Sequence, residues 1–303
     1  MKLALKVDVD TYQGTLEGIP RLLELFARES VRATFFFSLG PDNTGKAIKR
    51  VFRKGFVRKV LSANPAASYG LRTMLYGTLL PAPDIGGKPA AVARMREVKA
   101  AGHEVGIHAW DHVDWHDRLP RMSRDEVRQI VARAHARFAE VFGERAVLSA
   151  APGWTATPLS VEAQEDEGVR VTSDTRGGEP FRPLRADGTS SSVVEVPSTL
   201  PTLDELLALE EFAGARRDGT VARLAAEVGR AAGPSVHSIH TEIEGGRALH
   251  ALFVRQLVAW KGAGVRFATV GELAAACVSE ALPCKALRFT TLPGRATPVA
   301  TAA

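Results

Sequence analysis

Apolar and polar positions along this chain fall into two alternating rhythms. Short runs that alternate residue by residue, or are continuously apolar, cover 3–8, 33–38, 104–107, 147–150, 169–172, 193–197, 236–240 and 265–268, and read as strands. Between them lie longer stretches with apolar residues every third or fourth position, at 18–29, 90–101, 123–142, 158–167, 218–231 and 248–262, which read as helices. A regular βα alternation predicts an α/β fold, with a parallel sheet covered by helices, and this number of units suits a closed or nearly closed barrel. Residues 1–282 are expected to form one catalytic domain, with two departures from the rhythm. Residues 41–89 are too long for an ordinary βα connection and read as an insertion with a function. Residues 283–303, rich in Thr, Ala and Pro, read as a flexible tail.

Composition changes this picture through its charge distribution. At 45% hydrophobic and 24% charged residues the chain is an ordinary globular one, which excludes collagenous, coiled-coil and disordered classes. Its 39 Lys and Arg against 34 Asp and Glu give a net charge of +5. Yet from Asn43 to Pro83 there is no acid and there are eight bases: Lys46, Lys49, Arg50, Arg53, Lys54, Arg58, Lys59 and Arg72. The remainder carries 31 bases against 34 acids, so the basic character is one local patch. That argues against a nucleic-acid partner, whose binding surface would spread over the main fold. Two cysteines and an N-terminus running directly into a strand, with no secretory signal pattern, lead to the expectation of a cytoplasmic protein.

Candidate chemistry collects at the carboxyl ends of the predicted strands, where parallel α/β barrels place their sites. The first strand ends in Asp8-Val9-Asp10, and extended backbone puts both carboxylates on one side. The third is followed by His108 and His112, whose spacing would stack two imidazoles on a helical turn. Another strand ends in His240. Taken singly, each has a plain structural use: a turn or helix cap for the aspartates, a surface pair for the histidines, a polar strand end for His240. Together they offer two histidines and a carboxylate, a donor set for a divalent cation with open positions. His103, His116, His135, His237 and His250 fit no such pattern and are read as surface or packing residues.

In order and separation, Asp8-Val9-Asp10, His108-Ala-Trp-Asp-His112 and Ile239-His240 resemble the NodB-type polysaccharide deacetylase family, carbohydrate esterase four. Longer matches narrow the resemblance: Phe36–Asn43, His103–His112, Ala151–Trp154, Ser173–Gly177, Pro180–Pro183, Leu200–Glu205 and Ile239–Gly245 are similar to the deformylase branch that acts on formamido-arabinose carried by undecaprenyl phosphate. The resemblance implies a distorted (β/α) barrel and metal-dependent hydrolysis of the formyl amide, for lipid A modification and resistance to cationic antimicrobial peptides. Asp10, His108 and His112 would hold one divalent metal ion (Zn, Mn, Co, Fe or Ni), Asp8 would be the general base and His240 the general acid. Gly153 and Trp154 would supply oxyanion contacts and a wall of the sugar pocket. The family's third-motif arginine is replaced by Ala150-Ala151-Pro152. Arg176 is the candidate substitute beside the base, and Asp174 the candidate partner of His240.

Taken at 100° per residue, 46–54 and 56–61 form two amphipathic segments with Lys46, Lys49, Arg50, Arg53, Lys54, Arg58 and Lys59 on their polar faces, broken at Gly55. Residues 69–80 follow as an apolar, tyrosine-bearing stretch suited to an interface. With a polyprenyl-phosphate-linked sugar as substrate, the insertion is expected to meet an anionic membrane surface, on the cytoplasmic face of the inner membrane as a peripheral protein. The alternatives are a lid on a soluble amidohydrolase acting on another N-acyl sugar or small amide, and a non-catalytic lipid-binding descendant of the fold.

Overall fold

The computed structural model describes residues 1–47, 70–277 and 281–303. Its strands, in chain order, are β1 (Lys2–Val9), β2 (Thr34–Ser38), β3 (Glu104–Ala109), β4 (Leu148–Ser149), β5 (Val171–Thr172), β6 (Arg182–Pro183), β7 (Val194–Glu195), β8 (Ser235–His240) and β9 (Arg266–Ala268). All but β6 join one sheet in the order β7-β5-β4-β3-β2-β1-β8, with β9 also paired to β1, and each pairing is parallel. Past β7 the backbone N–H groups of Thr199 and Leu200 donate to the carbonyl of Val236 at 3.0 and 3.1 Å. The sheet thus curls back on β8 without a full ladder, giving the expected distorted barrel.

Strand alternation decides which side chains enter the barrel. On β1, Leu3, Leu5, Val7 and Val9 face outward and join Phe35, Phe37, Leu22, Phe26, Phe138, Leu257 and Trp260 beneath the helices. Ala4 faces inward with Phe36, Leu148, Val194, Val236 and Ala268. By the same period, Lys6 and Asp8 share the face of Ala4. The helices are α1 (Ile19–Glu29), α2 (Pro89–Ala100), α3 (His112–Arg118), α4 (Arg124–Phe142), α5 (Pro158–Asp166), α6 (Leu203–Leu207), α7 (Gly219–Arg230), α8 (His250–Gly262) and α9 (Val270–Cys277), of which α9 packs Val270, Leu273 and Ala274 against the inward cluster of Ala4 and Phe36. Their ends follow local chemistry: Ser123 and Glu126 form a capping box at the start of α4, and Gly143 stops it at φ 72°.

The expectation of a flexible tail is corrected. β10 (Cys284–Lys285) pairs with β6, and β11 (Leu287–Thr290) forms an antiparallel hairpin with β12 (Val299–Ala302). Val299 and Ala300 are buried, and Ala300 packs with Trp115, Ala151 and Leu287. Its carbonyl accepts from the Arg176 N–H at 2.9 Å. Small and β-branched residues suffice here because the hairpin lies against an existing apolar surface and has no core of its own to build.

The ends of the 41–89 insertion are clasped. Asp42 N–H donates to the Pro83 carbonyl at 2.9 Å and Ile85 N–H to that of Gly40 at 2.8 Å. Lys46 is exposed. Lys49, Arg50, Arg53, Lys54, Arg58 and Lys59, and with them the two amphipathic segments as a whole, lie outside the described residues.

His135 on α4 is buried, as its reading as a packing residue requires. Its Nδ1 has no hydrogen-bond partner among the described residues, and burial, helped by Arg145, pushes the ring down to about 4. As pH falls below the ordinary value of 6.5, the unfolded chain therefore takes up this proton before the folded one does. The associated stability is complete above 6.5 and is lost towards 4. A His135→Leu variant is expected to lose less of its urea midpoint than the parent between pH 7 and pH 5. Parallel losses in the two proteins would contradict this assignment.

Candidate active site

Register brings the acid–base candidates together. β1 pairs with β8 so that Asp8 lies opposite His240, and on its other edge Asp8 lies opposite Phe36. Residues directly opposite in a ladder project to the same face, so Asp8 and His240 meet at the barrel mouth. Asp10 follows as β1 ends. His108 is still in β3, whereas His112 is the first residue of α3. The two histidines thus span a strand end and a helix start, in place of the single helical turn expected. Asp111 makes this junction by accepting from the N–H groups of Val113 and Asp114, both at 3.0 Å. The Asn43 side chain donates to Asp111 at 2.5 Å, tying the start of the insertion to the same cap.

The donor atoms of Asp10, His108 and His112 all lie within 4.8 Å of one another. His108 Nε2 is 3.2 Å from one Asp10 oxygen and His112 Nε2 3.4 Å from the other. His108 Nδ1 is 2.8 Å from the Ala150 carbonyl, which assigns the ring proton to Nδ1 and turns the Nε2 lone pair towards Asp10. Asp10 Oδ1 is buried without a hydrogen-bond partner among the described residues. Lone pairs facing one another in a partly buried site repel, and a divalent cation between them removes the repulsion, so these residues fit one. Burial alone would raise Asp10, but His112, His108 and His240 outweigh it and hold the carboxyl well below its ordinary range. Burial would lower His240, but Asp10, Asp204, Asp8 and Glu244 together push it up to about 9. These carboxylates favour the protonated form of His240, the form that gives a proton away.

Other expectations are corrected. Arg176 does not reach Asp8: it donates to Glu205 at 2.6 Å, the Leu200 carbonyl at 2.9 Å and the Ser198 carbonyl at 3.2 Å. Asp174 makes no hydrogen bond to His240, whose Nδ1 has no partner among the described residues. Its carboxyl lies near Gln164 and is pushed up to about 8 by burial and then Glu195, with Lys6 opposing. Trp154 is 2% exposed, so its ring is no wall open to a sugar. Its indole N–H donates to Ser198 at 2.9 Å, and its backbone N–H is spent on the Ala151 carbonyl at 3.1 Å, leaving none for an oxyanion. Gly153 stands at φ 58°, where a Cβ would lie 2.2 Å from the His116 ring.

Sequence reasoning passed over Lys6, Glu205 and Arg295. Lys6 is fully buried, with Nζ 3.5 Å from Asp8. Glu205 receives Arg176 and, at 3.1 Å, Arg295 from the tail. The one local signal was a lysine in step with Asp8 on an otherwise apolar strand.

Residues 4–172 match the model of the polysaccharide deacetylase family. A Shewanella sediminis protein assigned as a 4-deoxy-4-formamido-L-arabinose-phosphoundecaprenol deformylase, ArnD, is 36% identical over 80% of this chain and 76% of its own. One of the same assignment from Wigglesworthia glossinidia brevipalpis is 28% identical over 93% of this chain and 96% of its own. Among solved structures, one from Mycobacterium smegmatis assigned as a polysaccharide deacetylase shares the fold at a TM-score of 0.63, with 21% identity over 96% of this chain and 94% of its own. The barrel, the strand-end cluster and these matches agree: the chain belongs to the polysaccharide deacetylase family.

Proposed function

We propose that this chain is a metal-dependent hydrolase that removes the formyl group from 4-deoxy-4-formamido-L-arabinose linked to undecaprenyl phosphate, giving formate and the free amino sugar. The observation that carries the proposal is the pairing of Asp8 with His240 beside the Asp10, His108 and His112 donor set. The named relatives carry the choice of substrate. Amide hydrolysis needs one group to take a proton from the attacking water and another to give one to the departing nitrogen, because an amide anion is too basic to leave. Asp8 serves as the first group and cationic His240 as the second. The C–O bond to formate forms, the C–N bond breaks, and the nitrogen leaves as an amine. Asp10, His108 and His112 would hold a divalent cation, which would supply Lewis acidity there, and this donor chemistry suits Zn, Mn, Co, Fe or Ni. Residues 1–282 act as one catalytic unit. Formate release from the lipid-linked sugar, abolished by a chelator and restored by added metal, is the expected result. Release only from other N-acyl sugars would instead support a deacetylase of another substrate.

The substrate's lipid anchor requires a membrane-facing surface. No helix among the described residues is long and apolar enough to cross a bilayer; the contact we propose is peripheral, on the cytoplasmic face. Leu71 and Leu79 are 73% and 80% exposed, with Arg72 and Lys46 also exposed. Apolar side chains beside bases suit an anionic lipid surface. Burial of a leucine contributes roughly 1.5–3 kcal/mol. A Leu71→Asp, Leu79→Asp double variant is therefore expected to lose at least about tenfold in binding to phosphatidylglycerol vesicles, with turnover of a short soluble analogue unchanged. Undiminished flotation with the vesicles would count against this face.

A further inference from the structure

Asp8 belongs to a pair of carboxylates at a barrel mouth, and its orientation needs a cause. One oxygen, Oδ2, is 3.5 Å from the Lys6 ammonium. The other, Oδ1, is buried without a hydrogen-bond partner among the described residues. His108 Nδ1 approaches Oδ1 to 3.9 Å, but its proton goes to the Ala150 carbonyl. Arg176 is committed to Glu205, Leu200 and Ser198. Lys6 is thus the nearest basic side chain to Asp8 among the described residues, delivered from two positions upstream on the same inward face of β1.

The Lys6 head is itself held in place. It donates to the Ser173 carbonyl at 2.9 Å and lies 5.1 Å from the centre of the Trp154 ring. With the residue fully buried, an ammonium here is costly unless its neighbours compensate it, and Asp8 is the carboxylate within ion-pair distance. A cation fixed on one side of a carboxylate selects one orientation of that group. It leaves Oδ1 without a hydrogen-bond partner among the described residues, beside the ring of His108.

Resting on the hydrolase reading above, we infer that Lys6 is the positioning residue for Asp8: its buried ammonium anchors Oδ2 and leaves Oδ1 as the oxygen that accepts the proton. The position filled in the wider family by an arginine of the third motif is, in this chain, supplied by a lysine of the first strand.

The test uses the full-length, metal-loaded enzyme and formate release from the formamido-arabinose lipid. Lys6→Met, close in shape and uncharged, is expected to lower kcat by about 10–100-fold, the usual effect of removing an orienting partner, with KM within about twofold. Lys6→Arg is expected to recover most of the loss. In an Asp8→Asn background, Lys6→Met is expected to change residual turnover by less than about threefold, because the group it serves is gone. Full kcat in Lys6→Met, or the same fold loss in both backgrounds, would overturn the inference.

A crystal structure of Lys6→Met, or of Lys6→Gln if the first does not fold, reads out without substrate. The expected result is a displaced Asp8 carboxylate with the pairing of β1 to β2 and β8 intact, and an unmoved carboxylate would overturn the inference. If the parent released no formate, the deformylase reading would fall, and the crystal structure would still decide the role of Lys6.

Discussion

Replacing Asp8 with asparagine is expected to lower kcat by about a thousandfold or more while leaving the metal content unchanged. Asparagine has the shape of aspartate but no oxygen able to take a proton at neutral pH, and loss of a general base typically costs 10²–10⁴ in rate. The cation donors Asp10, His108 and His112 remain, so the variant should still bind one equivalent, and KM should move little. His112→Ala is the contrasting variant: it removes a donor and should lose bound metal and turnover together. Titration with Co or Zn followed by spectroscopy or calorimetry separates the two cases. An Asp8→Asn protein within tenfold of parental turnover would show that the base is another group. The variant should also unfold at a lower temperature, because the buried Lys6 ammonium loses the carboxylate 3.5 Å away and, among the described residues, keeps the Ser173 carbonyl as its hydrogen-bond acceptor.

The parts of this site that were legible in sequence share one property: they end strands whose inward face is set by alternation. Asp8, Asp10, His108 and His240 followed from that pattern, and His112 from its spacing to His108. Partner choice was not legible, because it depends on contacts between distant segments. Arg176 and Asp8 are both near the barrel mouth, yet the guanidinium goes to Glu205, 29 positions later. Nothing local distinguishes that partner from Asp8. Asp174 illustrates the same limit: its neighbours Glu195 and Lys6 arrive from two other strands. The tail was misread because composition reports whether a segment can fold alone, and 283–303 folds against a surface that the rest of the chain provides. Lys6 was visible, since a lysine two positions before Asp8 has to face the same way, but an alternating strand makes one charged residue look like its solvent side. Only closure of the barrel shows that this face is interior.

Glu205→Gln is expected to give the largest loss of stability. The Glu205 side chain is 4% exposed and holds two arginines through one oxygen, Arg176 at 2.6 Å and Arg295 at 3.1 Å. Its other oxygen accepts from the Thr202 N–H at 3.0 Å and starts α6. The same two guanidiniums lie 4.8 and 4.7 Å from the centre of the Trp154 ring. Glutamine retains an acceptor for the cap but removes the only negative charge that the structure pairs with either guanidinium among the described residues. Breaking a buried ion pair from one side costs about 3–5 kcal/mol, because the remaining charge stays buried. For a chain of this size that corresponds to a fall of roughly 5–10 °C in Tm. Arg295→Ala should cost less, since Arg176 keeps its carboxylate. The network also bears on the site. Trp154 has φ 51°, a conformation that costs a non-glycine residue roughly 1–3 kcal/mol and persists where its surroundings over-determine it. The surroundings here include Lys6 and the two arginines held by Glu205, all near the Trp154 ring. Relaxation of that turn in Glu205→Gln should therefore lower turnover as well, through Lys6 and then Asp8, in a protein that still binds its metal. A Tm within about 2 °C of the parent would mean that the two arginines find solvent or other partners, and that the tail hairpin is held by Val299 and Ala300 alone.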